Sequence, residues 1–506
     1  MTLNSSNLSS RSFDFSLYAG WFFLMLLGYW GFREVHLDDM YITLRYARNL
    51  AMGLGFAFNT GETYYGFTSA LHLLAMAAVY FFCPVSELLP RICVFAGCLN
   101  LWLLAVLVYF AAKDSGKPEW GILGGTLLLM SEHLYATIGL DPIGCVTLAM
   151  AGLCAEYRGR TWVAAFLLGL ATLARPDAAI LAALLFGGRL VLNRNLNWPA
   201  VLIYGCVVLS WHGFAWLHFG SPLPQTLGAK MEQGRTGVRI ARDWSYWWLY
   251  STHFFPAQKG LLLLPVGVLG LVRYRWDHPF TLISLWSVIH LVLYFHVLKV
   301  PPDYTWYYVL STVATILWLA IGIASVLKLV LSLFHRAATS LESRFATLSS
   351  TSWKALLRNG GFVAAGFALL LAWVEIGSSY REGRPEFCFW SGGPELKEAG
   401  IWIRENTPED IAVLAQDIGA VGYYSERYIY DFCELVHDSA HRLREYEGYE
   451  FFRMYPNQGL EFLVEEKEGS PMEVEKFTYA SNPPAVFIKR FPSDSSDETP
   501  QTASAR

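Results

Sequence analysis

Two adjoining stretches decide how the chain folds: LYAGWFFLMLLGYWGF at residues 17–32 and, directly after it, REVHLDDMYITLRYARNL at residues 33–50. The first is uncharged, apolar and rich in aromatics, which reads as a membrane crossing. The second returns at once to charge and carries adjacent carboxylates, Asp38 and Asp39. Further apolar runs lie at 69–83, 92–112, 120–138, 142–156, 161–174, 177–193, 199–217, 260–272, 279–298, 306–333 and 361–378. Several are shorter than the ~20 residues a perpendicular helix needs, so tilt or aromatic flanks must make up the difference.

Composition agrees. Over 506 residues, 54% are hydrophobic and only 16% charged, against ~25% charged in soluble domains. Mean hydropathy is +0.33. Disordered, collagen-like and coiled-coil classes are excluded on these grounds. A net charge of −4 leaves no basic face for nucleic acid. Cys83, Cys93, Cys98, Cys145, Cys154 and Cys206 lie in or beside apolar runs, where a thiol behaves as a small hydrophobe, and no CxxC pair occurs. Cys388 and Cys433 stand apart in the polar C-terminal region, where a disulfide requires an oxidising compartment. No small-residue cleavage site follows the first apolar run, so it reads as a retained anchor.

Basic residues cluster at 113–117, 158–160, 189–194, 273–275 and 336–358. Placing these inside gives alternation from residue 92 onward, with 33–91, 139–141, 175–177, 218–258, 299–305 and the C-terminal region outside. The short run 69–83, carrying His72, is then interfacial or re-entrant. The expected architecture is an α-helical polytopic membrane protein of about eleven spans. It divides into a membrane domain (1–380), a small extracytoplasmic α/β domain (381–491) and a disordered tail (492–506). In the C-terminal domain a helix is expected over 394–405 and a strand over 411–415.

The chemistry-bearing residues gather on the outer side of this topology. Asp38 and Asp39 read as the cap and dipole partner of a helix over 40–52. They also read as a general base for an acceptor hydroxyl with a neighbour that orients it or holds a cation. Arg45 and Arg48, one turn apart, suit ion pairs or a phosphate fork equally. Asp141 opens a span just before Pro142, as an N-cap or a ligand. In Arg175-Pro176-Asp177, an arginine at membrane depth needs an anion. Ser221–Thr226 with Lys230 reads as a proline-stiffened loop. Gly419 and Gly422 suit an ordinary strand–turn junction in a folded domain, or a turn that brings Tyr423 and Tyr424 to a surface above an acceptor.

The run Asp38-Asp39-Met-Tyr41-Ile-Thr43-Leu-Arg45-Tyr46-Ala-Arg48-Asn49, followed by Gly53-Leu-Gly55, Asn59-Thr-Gly61-Glu62 and Tyr65-Gly66-Phe67-Thr68-Ser69, resembles the membrane glycosyltransferases of GT-C type. It is most similar to the subgroup containing the terminal β-arabinofuranosyltransferases of actinobacterial cell walls. Gly139-Leu140-Asp141 stands where that family has Gly-Met-Glu, and Ala174-Arg175-Pro176-Asp177 where it has a Thr-Arg-Pro-Glu type turn. Pro224-Gln225-Thr226 with Ala229-Lys230, Trp306-Tyr307-Tyr308, and Asp417 to Ser425 have counterparts in the same order.

The resemblance implies an inverting transferase that moves a sugar, arabinofuranose by subgroup, from a polyprenyl-phosphate carrier. The acceptor is a cell-envelope glycan, lipid or protein, and the active site lies on the outer face of the inner (plasma) membrane. Asp38 becomes the catalytic base, with Asp39 beside it. Arg45, Arg48, Arg175 and Lys230 face the donor phosphate. Tyr41, Asn59, Glu62, Asp141, Gln225, Trp306, Tyr307 and Tyr308 line the substrates. Metal assistance stays open; if a divalent cation (Mg or Mn) takes part, Asp39 and Asp141 are its ligands. The partners are membrane lipids and the two substrates, with no nucleic acid, and the chain acts as a monomer. The competing reading is a transporter or flippase of a lipid-linked sugar, which should show repeated halves; the sequence shows none. A third, a non-catalytic assembly protein, leaves the acidic pair unexplained.

Overall fold

A computed structural model of the chain describes residues 5–34, 36–226, 228, 264–272, 274–298, 304–342, 393–407, 409, 412–415, 417–431, 435–436, 451–456, 474–475 and 486–491. It is largely helical and splits into two compact units. One comprises residues 1–33, 94–209 and 234–389; the other comprises 34–93, 210–233 and 390–506. These units are drawn differently from the linear division expected at 380, because the first loop clusters with the C-terminal region.

The first unit is an antiparallel helical bundle: α1 (Ser5–Phe32), most of α4 (Leu89–Asp114), α5 (Pro118–Leu129), α6 (Glu132–Ala136), α7 (Asp141–Tyr157), α8 (Thr161–Ala174), α9 (Ala179–Asn193), the first half of α10 (Trp198–Phe219), α11 (Leu264–Leu271), α12 (Pro279–Val292) and α13 (Val309–Glu342). Among the described residues five segments are long and apolar enough to cross a membrane: Ser12–Phe32, Leu89–Asp114, Pro176–Asn193, Trp198–Phe219 and Trp306–Val330. The last expected span, 361–378, lies outside the described residues. Glycines let the helices approach. A side chain at Gly124 would meet Val108 at 3.2 Å and Leu317 at 3.5 Å, so α5 fits between α4 and α13 only because Gly124 has none.

Polar contacts mark the two ends of this bundle. At one end Lys113 and Tyr109 bind Asp14, Arg158 meets Asp114 at 2.6 Å, Arg189 pairs with Glu156, and Ser115 bonds His278 at 2.7 Å. Lys113, Arg158 and Arg189 come from three of the five basic clusters that the sequence reading placed on a single side. At the other end stand Asp141, Arg175, Tyr294 and Tyr307. Helix α1 runs antiparallel to α4, with Asp14 against Lys113 and, farther along, Tyr29 stacked edge-on against Phe95 at 5.4 Å. The chain between them therefore makes an even number of crossings. The apolar helix α3 (Ala70–Phe82) has 13 residues, a length of ~20 Å, and leaves Phe81 and Phe82 exposed.

The second unit holds α2 (Asp38–Ala51) and α3, the end of α10, α14 (Gly393–Asn406), α15 (Gly419–Ser425) and a sheet of β1 (Ala412–Ala415), β2 (Tyr428–Asp431), β3 (Phe451–Pro456), β4 (Val474–Glu475) and β5 (Val486–Phe491). Strand order is β2-β1-β3-β5-β4. β1 lies parallel to both neighbours, with Val413 opposite Ile429 and Phe452, while β5 is antiparallel to β3. The expected helix and first strand are present within a residue of their bounds.

Candidate active site

Helix α2 presents Asp38, Tyr41, Arg45 and Arg48 at spacings of three and four residues, so they share one face. That face is occupied. The Asp38 carboxylate accepts the backbone N–H of Gly419 (2.8 Å) and of Ala420 (2.7 Å). Leu37, not Asp38, is the cap residue of α2, and no side chain caps it. Burial and the nearby Asp417 push the Asp38 carboxyl up to about 8, against the two N–H bonds that favour its anion. Tyr41 bonds His36 at 2.6 Å and packs on Tyr423 and Tyr424.

Arg45 donates to the carbonyls of Phe58 (2.8 Å), Gly422 (2.6 Å) and Arg427 (2.8 Å), and it lies over the Phe58 ring. Arg48 donates to the Tyr423 carbonyl (3.0 Å) and to Glu426 (3.3 Å). Asn59 forms a two-way pair with the Ile429 backbone, both bonds 3.0 Å, and Glu62 accepts the Tyr428 hydroxyl. Gln225 pairs in the same two-way manner with the Tyr65 backbone, at 3.0 and 3.1 Å. The first-loop motif thus grips residues 419–429. Two expectations change: carbonyls take the Arg45 guanidinium and, with Glu426, one terminal nitrogen of Arg48, whose Nε has no partner among the described residues, and Tyr423 and Tyr424 are buried where a surface turn was expected. Gly419 and Gly422 are required for another reason. A Cβ at Gly422 would stand 2.6 Å from Arg45 Nη1, and one at Gly419 would strike Asp38.

Asp39 differs from its neighbour. It is half-buried on the first turn of α2, and no described residue hydrogen-bonds or ion-pairs with its carboxylate.

In the helical-bundle unit, Asp141 and Arg175, which the topology reading set on one side, pair with each other. Arg175 donates Nη1–H to Asp141 Oδ2 (3.2 Å), Nε–H to Asp177 Oδ1 (3.0 Å) and Nη2–H to the Tyr294 hydroxyl (3.3 Å), and it lies 5.2 Å from the Tyr307 ring centre. Asp177 in turn meets His290 Nε2 at 3.2 Å and accepts Trp286 through its backbone carbonyl. His290 stacks on Tyr294 with centroids 4.1 Å apart. Trp306 and Tyr308 are buried beside Tyr307. The sequence reading gave no role to Asp177, His290 and Tyr294, although an ionisable residue inside the apolar run 279–298 was a usable signal. Lys230, Cys388 and Cys433 lie outside the described residues. Among the described residues no three His, Cys, Asp or Glu side chains stand together as metal ligands, and Asp141 already carries Arg175.

Comparisons with known proteins fix the architecture. Residues 389–496 match a family described as a domain of unknown function, DUF8728. No curated protein matches at sequence level. The apo structure of ArnT from Cupriavidus metallidurans is similar in fold, with a TM-score of 0.57 and 13% identity over 93% of this chain and 98% of that one. So is an Archaeoglobus fulgidus oligosaccharyltransferase tethered with an acceptor peptide, with a TM-score of 0.53 and 11% identity over 86% of this chain and 69% of that one. The fold is of GT-C type.

Proposed function

We propose that the chain is a membrane glycosyltransferase that moves a sugar from a polyprenyl-phosphate carrier to a cell-envelope glycan, lipid or protein. In this reading the reaction takes place on the outer face of the inner membrane, and the subgroup resemblance points to arabinofuranose as the sugar. The observation that carries it is the contrast within the acidic pair. Asp38 has both oxygens closed by backbone N–H groups, whereas Asp39, rotated ~100° around the helix, keeps an unengaged carboxylate.

A general base needs a free oxygen within reach of the hydroxyl it deprotonates. Asp39 therefore takes the base role that the family motif suggested for Asp38, and Asp38 becomes the anchor of the segment behind it. Attack of the acceptor oxygen on the anomeric carbon expels the carrier phosphate, whose growing charge needs a cation. With Arg45 and Arg48 engaged elsewhere, Lys230 is the residue proposed for it.

The test is transfer by purified protein in liposomes, with decaprenyl-phosphate-linked sugars as donors. Asp39→Asn should cut turnover ~10²-fold or more with its melting temperature unchanged. Asp38→Asn should lose stability first, with activity falling only as the folded fraction falls. Near-normal transfer by Asp39→Asn overturns the mechanism.

A further inference from the structure

Helix α3 reads ALHLLAMAAVYFF and carries no charge. Leu73, Met76, Ala77 and Tyr80 are buried on the side that packs on α2. A helix covering a core in this way ordinarily turns polar residues to water on its other side. In α3 the other side is Leu74, Ala75, Ala78, Phe81 and Phe82, all exposed, with Phe81 at 68% and Phe82 at 85%. The polar side chains turn inward instead. His72 Nε2 lies 3.4 Å from the buried Cys93 Sγ, and the Tyr80 hydroxyl hydrogen-bonds Ser86 Oγ at 3.1 Å. An outward face this apolar needs something apolar to cover it.

The chain itself places a bilayer within reach. Residues 83–88 join Phe82 to Leu89, where the membrane-crossing helix α4 begins. In the first turn of α4, Arg91 stands 3.6 Å from Glu34, and both side chains are more than half exposed. Charged groups at the end of a crossing helix mark the level of the lipid head groups. Phe81 and Phe82 stand one short connection away, and aromatic and aliphatic side chains on one helix face partition at that depth.

The same connection has a second partner. The Ser86 carbonyl accepts the Tyr423 hydroxyl at 2.8 Å, and Glu87 Oε2 accepts Lys397 at 2.9 Å. Lys397 also lies 4.9 Å from the centre of the Tyr424 ring. We propose that Leu74, Ala78, Phe81 and Phe82 are seated in the bilayer at the surface where α4 begins, and that residues 83–88 clasp α14 and α15 to that seat. Lipid acyl chains hold one side of the α3–α4 segment, and Tyr423 and Lys397 hold the other. The bilayer thereby steadies the C-terminal helices, whatever reaction the chain performs.

Paramagnetic resonance on the full chain, in nanodiscs of equal parts phosphatidylcholine and phosphatidylglycerol, tests the seat. A nitroxide on Phe82→Cys, with the other accessible thiols replaced, should collide more with oxygen, which concentrates in lipid, than with a nickel chelate in water. A nitroxide on Thr60→Cys, exposed in the same unit, should show the reverse. Nickel access at Phe82 means that the face lies in water; shielding from both reagents means that a second copy or another protein covers it. Either result overturns the proposal.

Hydrogen exchange in the same nanodiscs tests the clasp. Phe81→Ser combined with Phe82→Ser removes little packing, since both rings are exposed, so α7 and α8 should exchange as before. The amides of α15 should exchange about tenfold faster, the scale of one aromatic side chain losing its apolar surroundings. Leu202→Ser, 64% exposed on the crossing helix α10, should leave α15 unchanged. Normal exchange of α15 in the double variant, or equal acceleration by Leu202→Ser, overturns the clasp.

Discussion

Gly419→Ala tests the grip of the first loop on the C-terminal segment. A Cβ at this position would lie 2.7 Å from the Asp38 carbonyl carbon, 2.8 Å from Oδ2, and closer still to the carbonyl oxygen. The obstacle is backbone, so no side-chain rotation relieves it. Overpacking of this kind costs ~1–3 kcal/mol. Backing α15 away also stretches the two bonds to the Asp38 carboxyl, which holds its proton at neutral pH, each worth ~0.5–1.5 kcal/mol. Taking the low ends together gives about 2 kcal/mol, or a ~30-fold larger population with residues 419–429 released. Limited proteolysis of the purified protein tracks that population when reclosing is fast. Gly213→Ala is the control, since a Cβ there meets nothing within 4 Å. In the Gly419→Ala background, Asp38→Ala should add little, because both changes remove the same contact. Equal cleavage rates for Gly419→Ala and Gly213→Ala would refute the argument.

Two further outcomes follow from the same geometry. The Asp38 carboxyl titrates near 8 when folded and near ~3.9 when unfolded, so the folded state holds its proton more tightly. The associated stability is complete below the unfolded value and is lost as pH rises through the folded one. Melting temperature should fall as pH rises from roughly 4 to 8 and level off above that, and Asp38→Asn should flatten the slope. For topology, single cysteines at Thr60 and Val85, both exposed, should be labelled from the outside and one at Asn195 from the cytosol; opposite labelling of Thr60 and Val85 would mean that α3 crosses.

The membrane architecture was legible because the length of an apolar run and the side of its basic flanks are local properties, and the antiparallel pairing of α1 with α4 follows the parity those flanks required. That Arg175 needs an anion was legible, because buried charge needs countercharge; that Asp141 supplies it was not, since the two lie 34 residues apart. The use of Asp38, Arg45 and Arg48 was not. A carboxylate and two arginines on one helix face look the same whether they hold a substrate or a distant carbonyl. The distinguishing partners, Gly419 to Arg427, are separated from them by most of the chain. Gly419 and Gly422 were noticed, but as turn residues; their need for bare backbone arises from what packs on them.

That separation has a consequence for biosynthesis. Arg45 and Gly422 are 377 residues apart. At ~5–20 residues per second, the first loop waits roughly 20–75 s after its own synthesis for the backbone that will neutralise it. Throughout that interval two arginines and a carboxylate destined for burial stand solvated or in the care of a chaperone. A ribosome that stalls before residue 419 therefore leaves a recognisable defect near the start of the chain. The nascent protein carries its own completion mark, readable by a quality-control protease without any sampling of the missing end.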